Sequence, residues 1–179
     1  MNRFLEKVAQ KDKEFFFMLN VKYQRKMFNK FMRGVTQLGS VPFAITLTGL
    51  FMLVDFKSGW YIGMNLLLAE AVVHTIKRIV HRPRPYRRYG WTNSIVPPRC
   101  ENSLPSGHSA AALTLALCIG HIHPILTIPL VIISVLVGIS RMYLGCHYPS
   151  DVILGFSIST IMFIALTYVP IVLQFPFTF

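Results

Sequence analysis

Most of the side chains that could do chemistry fall in three short clusters: Lys77 with Arg84-Pro85, then Pro105-Ser106-Gly107-His108, then Ser140-Arg141 with His147 and Asp151 behind it. Three fixed cations, Lys77, Arg84 and Arg141, joined by the amides of a helix start, make a cradle for a multiply charged oxyanion. The planar arginine fork and the compact lysine charge both match phosphate oxygens. A carboxylate ligand would not need so much positive charge. The histidines supply a reaction: one, neutral, can attack phosphorus while the other, protonated, donates to the departing oxygen. His147 and Asp151 are four residues apart around a helix start, so the carboxylate can reach one ring nitrogen and leave the other facing the cradle. His108, on a different segment, is the natural acid from the opposite side. Ser106 and Gly107 let the backbone turn tightly and aim amides at the anion. Taken singly, each cluster has a plainer reading: cations anchoring a helix end, a serine cap with a turn, an aspartate complementing a helix start that has Pro149 in its first turn.

The chemistry needs elements that bring the clusters together. Of the 179 residues, 53% are hydrophobic and only 14% charged, a balance that places the chain in a membrane. Five apolar stretches, 35–54, 59–76, 107–122, 124–139 and 151–173, approach the roughly 20 residues needed to cross a bilayer, and in lipid each must be a helix. The predicted fold is therefore all-α, a multi-pass transmembrane bundle of about five spans forming one domain over residues 35–179. Residues 1–34 mix Phe, Met and Leu with Lys and Arg and read as one or two amphipathic interfacial helices, or as a cytosolic tail. The N-terminus has no apolar leader core. Short joints at 55–58 and 120–124 make hairpins, whereas the joint at 77–106 is long and therefore functional or disordered. Alternating the spans puts that joint, the start of the third span, the end of the fourth and the start of the fifth on one face, where the three clusters meet.

The ordered pattern K77RIVHRPRP85, P105SGH108 and S140RMYLGCHYPSD151 resembles the three-part signature of the type 2 phosphatidic acid phosphatase superfamily, with no departure at any signature position. That resemblance, from about residue 35 to the end, implies a helical membrane fold and hydrolysis of a lipid phosphate ester or prenyl pyrophosphate through a phosphohistidine, without metal or cofactor. It implies His147 as nucleophile, Asp151 as its orienting acid, His108 as general acid, and Lys77, Arg84, Ser106, Gly107 and Arg141 as phosphate binders. A lipid phosphotransferase, or a membrane protein that binds lipid phosphate without cleaving it, are the alternatives. Soluble haloperoxidases of the same superfamily lack the five spans.

Other features carry less. Glu70, His74 and Lys77 share one helix face; Glu70 either pairs with a cradle cation or forms a structural pair with His74. Tyr86, Tyr89 and Trp91 suit a loop held at the interface, stiffened by Pro83, Pro85, Pro97 and Pro98, which could act as a lid. Cys100 and Cys146 share the expected catalytic face and could bridge in an oxidising compartment; Cys118 reads as a small core residue. His121 and His123 lie on the opposite face and have no assigned role. The net charge of +11 points to anionic lipid rather than nucleic acid. All Lys and Arg but Lys57 fall on the catalytic face, which favours a cytoplasmic site, whereas many members of the resembled family face the outside or a lumen.

Overall fold

A computed structural model describes residues 3–95 and 101–168 of the chain, and helices form where the apolar stretches predict them. The first two, α1 (Arg3–Phe17) and α2 (Lys26–Gln37), are joined by a π-helical turn at Met18–Lys22. They are followed by α3 (Val41–Val54), α4 (Phe56–Ile79), the short α5 (Pro85–Arg88), α6 (Gly107–Ile122), α7 (Thr127–Tyr143) and α8 (Pro149–Tyr168). The caps account for several boundaries. Ser40 Oγ accepts from Phe43 N at 3.4 Å, with Pro42 in the first turn of α3. Asp55 ends α3 and caps α4 by accepting from Ser58 N at 3.1 Å, which makes this hairpin a single-residue joint.

At the centre stands α6, packed against α4, α7 and α8. Most of its buried residues are small, including Ala110, Ala111, Ala112, Ala116 and Cys118, so neighbouring backbones approach closely, as helices packed within a membrane do. Glycines permit the tightest approaches. A Cβ on Gly155 of α8 would stand 2.6 Å from Ser106 O, and one on Gly39 would stand 2.4 Å from His108 O. The residues that begin α6 are thus clasped from two sides.

The outer surface is apolar. Val54 is 89% exposed and Leu53 85%, and Ile128 and Ile132 of α7, with Ile153 and Ile161 of α8, are also exposed. Such a surface is costly in water and ordinary in lipid. Among the described residues, two segments are long and apolar enough to span a membrane on their own, Pro124–Tyr143, which joins a 3-10 turn to α7, and α8. A third is possible if α2 and α3, bent by 45°, form one broken span. The other expected spans differ for physical reasons. The 24-residue α4 carries Asn65, Glu70, His74 and Lys77, which lower its hydropathy, and α6, at 16 residues, is shorter than a full crossing.

Candidate active site

His147 lies in the turn between α7 and α8 and is 1% exposed. Gly145 has a φ of +84°, and a Cβ there would stand 2.6 Å from Asn93 O, so this position requires glycine on both conformational and steric grounds. The turn closes through Arg141 O, which accepts from Cys146 N at 3.0 Å and His147 N at 3.3 Å. Asp151, in the first turn of α8, is fully buried. Its Oδ2 accepts from Tyr148 N at 2.8 Å and stands 3.4 Å from His147 Nδ1. On the other side of the ring, His147 Nε2 is 3.1 Å from Arg84 Nη1. A guanidinium only donates, so these neighbours assign the lone pair to Nε2 and the proton to Nδ1. Burial above all, then the charges of Arg84, Arg141 and Lys77, push the His147 pKa well below its ordinary 6.5. The imidazole is neutral at neutral pH.

The three sequence clusters are tied to one another through backbone groups. Arg84 Nη1 also donates to Cys146 O at 2.8 Å, which fixes the first cluster to the third. Ser106 N donates to Asp151 O at 2.9 Å, which fixes the second to the third, and Ser106 Oγ caps α6 by accepting from Ser109 N. Arg141, 5% exposed, donates from Nη1 to Thr36 Oγ1 at 2.9 Å. Lys77 lies in the last turn of α4, where its carbonyl accepts from Asn102 Nδ2 at 2.8 Å. His108, half-buried in the first turn of α6, is within electrostatic reach of Arg141, His147, Lys77 and Arg84. Gly107 opens toward Glu70: a Cβ there would be 3.4 Å from the Glu70 carboxylate. That carboxylate is also 3.8 Å from His74 Nε2, so Glu70 borders both the cradle and His74.

Several residues of this site carry no signal that sequence reasoning could use. Arg82 reaches Asp151 Oδ1 at 2.7 Å and Ser150 Oγ at 2.6 Å through Nη1, and Asp12 Oδ2 at 2.7 Å through Nη2. Its guanidinium lies 4.1 Å from the centroid of the Tyr148 ring. Asp12, on α1, is 4% exposed and also accepts from Ser150 N at 2.9 Å. The loop after α5 is fastened down rather than hanging free. Trp91 packs on Phe16 and Phe17, Tyr89 stacks on Trp91, and Arg33 Nη2 donates to Ile95 O. Cys100, and with it the Cys100–Cys146 bridge, lies outside the described residues, as do Pro97 and Pro98. Among the described residues no three His, Cys, Asp or Glu are grouped to hold a metal ion.

A sequence model of the PAP2 superfamily matches residues 58–173, well over half of the chain. The undecaprenyl-diphosphatase BcrC of Bacillus subtilis (strain 168) is 25% identical over 134 residues, covering 73% of this chain and 69% of that protein. The crystal structure of Aquifex aeolicus LpxE superposes with a TM-score of 0.78 at 25% identity, covering 86% of this chain and 92% of that one. A transmembrane PAP2 type phosphatidylglycerolphosphate phosphatase from Bacillus subtilis gives a TM-score of 0.77 at 26% identity, covering 89% and 84%.

Proposed function

The chain belongs to the PAP2 superfamily and is a membrane lipid phosphatase, and from that premise we propose that it cleaves a lipid phosphate monoester or a prenyl pyrophosphate by transferring the phosphoryl group to His147. One observation carries this reading: a buried neutral imidazole with its lone pair on Nε2 directed at Arg84 and its Nδ1 at Asp151. A bound phosphate draws the Arg84 donors to its own oxygens, which frees that lone pair. Nε2 then attacks phosphorus, and the bond from phosphorus to the lipid-side oxygen breaks. Lys77, Arg84, Arg141 and the amides around Ser106 and Gly107 hold the phosphoryl oxygens as charge develops on them. His108 gives its proton to the leaving oxygen. Asp151 fixes the tautomer and steadies the positive charge that His147 acquires. In the second half, water attacks the phosphohistidine, His108 takes the water's proton back, and inorganic phosphate leaves with Nε2 restored. No step requires a metal.

We place the chain in the cell membrane as a multi-pass protein with α3, α4, α6, α7 and α8 as the spans. Residues 1–34 lie against the interface, where their nine Lys and Arg meet anionic head groups. Two named similarities bear on the substrate. BcrC is a diphosphatase of undecaprenyl carriers by name, and the Bacillus subtilis structure is of a phosphatidylglycerolphosphate phosphatase. The test is phosphate release by purified protein in detergent with EDTA, offered phosphatidic acid, phosphatidylglycerol phosphate and a polyprenyl pyrophosphate. Release that persists in the chelator and vanishes in His147→Ala supports the reading, and the relative rates rank the substrates. No release from any of them favours a protein that binds lipid phosphate without cleaving it.

A further inference from the structure

Asp151 has two oxygens with different duties. Oδ2 faces His147 Nδ1 and accepts from Tyr148 N, while Oδ1 accepts from Arg82 Nη1. The plane of the carboxylate, and so its alignment with the imidazole, depends on where Arg82 holds Oδ1. The Arg82 guanidinium is a rigid fork. One tine is fixed on Asp151 and Ser150, the other on Asp12 Oδ2, and its face rests on Tyr148. Asp12 in turn is set by Ser150, which donates to it from both backbone N and Oγ, at 2.9 and 2.5 Å. Its helix is pinned nearby by Phe16, fully buried, with ring centroids 5.8 Å from Tyr148 and 6.2 Å from Trp91. A buried carboxylate at 4% exposure on a helix whose other charges face solvent is costly unless it is paired. Here the pair leads directly to the reacting histidine.

We infer that Asp12, on the N-terminal helix, is a positioning residue for catalysis, acting through Arg82 to orient and charge the Asp151 carboxylate behind His147. With Asp12 present, Arg82 stands between two carboxylates and the group keeps one net negative charge to meet the positive charge that forms on His147. Without it, Arg82 neutralises Asp151 alone, and the imidazolium loses that counter-charge. Asp12 bonds to Arg82 and Ser150, neither of them a member of the phosphate cradle, so its removal acts on turnover and not on substrate binding. The inference rests on His147 being the nucleophile.

The experiment compares parent, Asp12→Asn, Arg82→Lys, the double variant Asp12→Asn with Arg82→Lys, and His147→Ala in hydrolysis of dioctanoyl phosphatidic acid in detergent. Asp12→Asn is nearly isosteric and is expected to lower kcat by about 10–100-fold, the usual cost of losing a supporting partner of a reactive group, with KM within about twofold of the parent. Arg82→Lys keeps the charge but cannot span both carboxylates, and is expected to lose kcat to a similar degree; it carries the test if Asp12→Asn does not fold. The double variant falls no further than Arg82→Lys alone, because the two residues act as one unit. Parent-level kcat in Asp12→Asn, a loss confined to KM, or multiplicative losses in the double variant would overturn the inference while leaving an inactive His147→Ala, and the phosphohistidine reading, in place. An active His147→Ala would remove that reading and this inference with it.

Discussion

The two ends of α6 each carry a histidine, and they differ in everything but the side chain. His108 stands in the first turn and His121 near the last, roughly 20 Å apart along the helix at 1.5 Å per residue. Around His108 are Arg141, His147, Lys77 and Arg84, on a helix N-terminus whose amides favour an anion. Around His121 are the rings of Tyr61, Phe163 and Tyr168, with centroids 5.9, 6.0 and 6.2 Å away, at the helix end that repels an anion. The end proposed to react is also the clasped end, held by Gly39, Gly155 and the Ser106–Asp151 backbone bond. In the proposed mechanism, it is the fixed charge and helix polarity around His108 that suit it, and not His121, to serve as the proton donor.

The largest way to break this contrast is His108→Ala. Loss of the general acid is expected to lower kcat for an alkyl phosphate ester by about 10²–10⁴-fold, and a loss smaller than tenfold would put the leaving-group proton elsewhere. Next comes the clasp. Gly155→Ala drives a methyl group against Ser106 O and is expected to cost about 1–3 kcal/mol, read as a lowered melting temperature in detergent; an unchanged melt would mean that α8 is free to move away from α6. The protonation of His147 supplies a third test. Its folded pKa is depressed, so below pH 6.5 the unfolded chain takes up a proton that the native site refuses. Stability should therefore drop as pH falls through and below 6.5, by at most about 1.4 kcal/mol per pH unit from this group, and His147→Ala should show the shallower decline. Equal slopes would mean that the native imidazole titrates normally. The smallest effect belongs to the far end: His121→Ala is expected to keep kcat within about twofold, and a large loss would erase the contrast between the two ends.

Much of this architecture is legible in the sequence because the rules involved are local. Helix periodicity, the short joints at 55–58 and 120–124 and the spacing of His147 to Asp151 each involve neighbours in the chain, and alternating spans then place Lys77, Arg84, His108 and Arg141 at one end. What escaped is long-range. Asp12 reads as one more charge in an amphipathic segment, and nothing in K11-D12-K13 announces a partner at Ser150, 138 residues away. Of two arginines separated by one proline, sequence gives no reason for Arg82 to take Asp151 while Arg84 takes His147. Thr36 behind Arg141 and Gly39 beside His108 are likewise tertiary matches. Helix α4 also runs past the apolar stretch to Ile79, because Lys77 and Arg78 suit a helix C-terminus as well as they suit a loop.

The most direct measurement is to quench the enzyme in mid-turnover with alkali, using substrate labelled in its terminal phosphate, and to locate the label by peptide mass spectrometry. A phosphoramidate survives base, and the account predicts label on His147 in the parent and none in His147→Ala. Steady phosphate release with no phosphohistidine in the parent, or label retained on another residue when His147 is replaced, would contradict it.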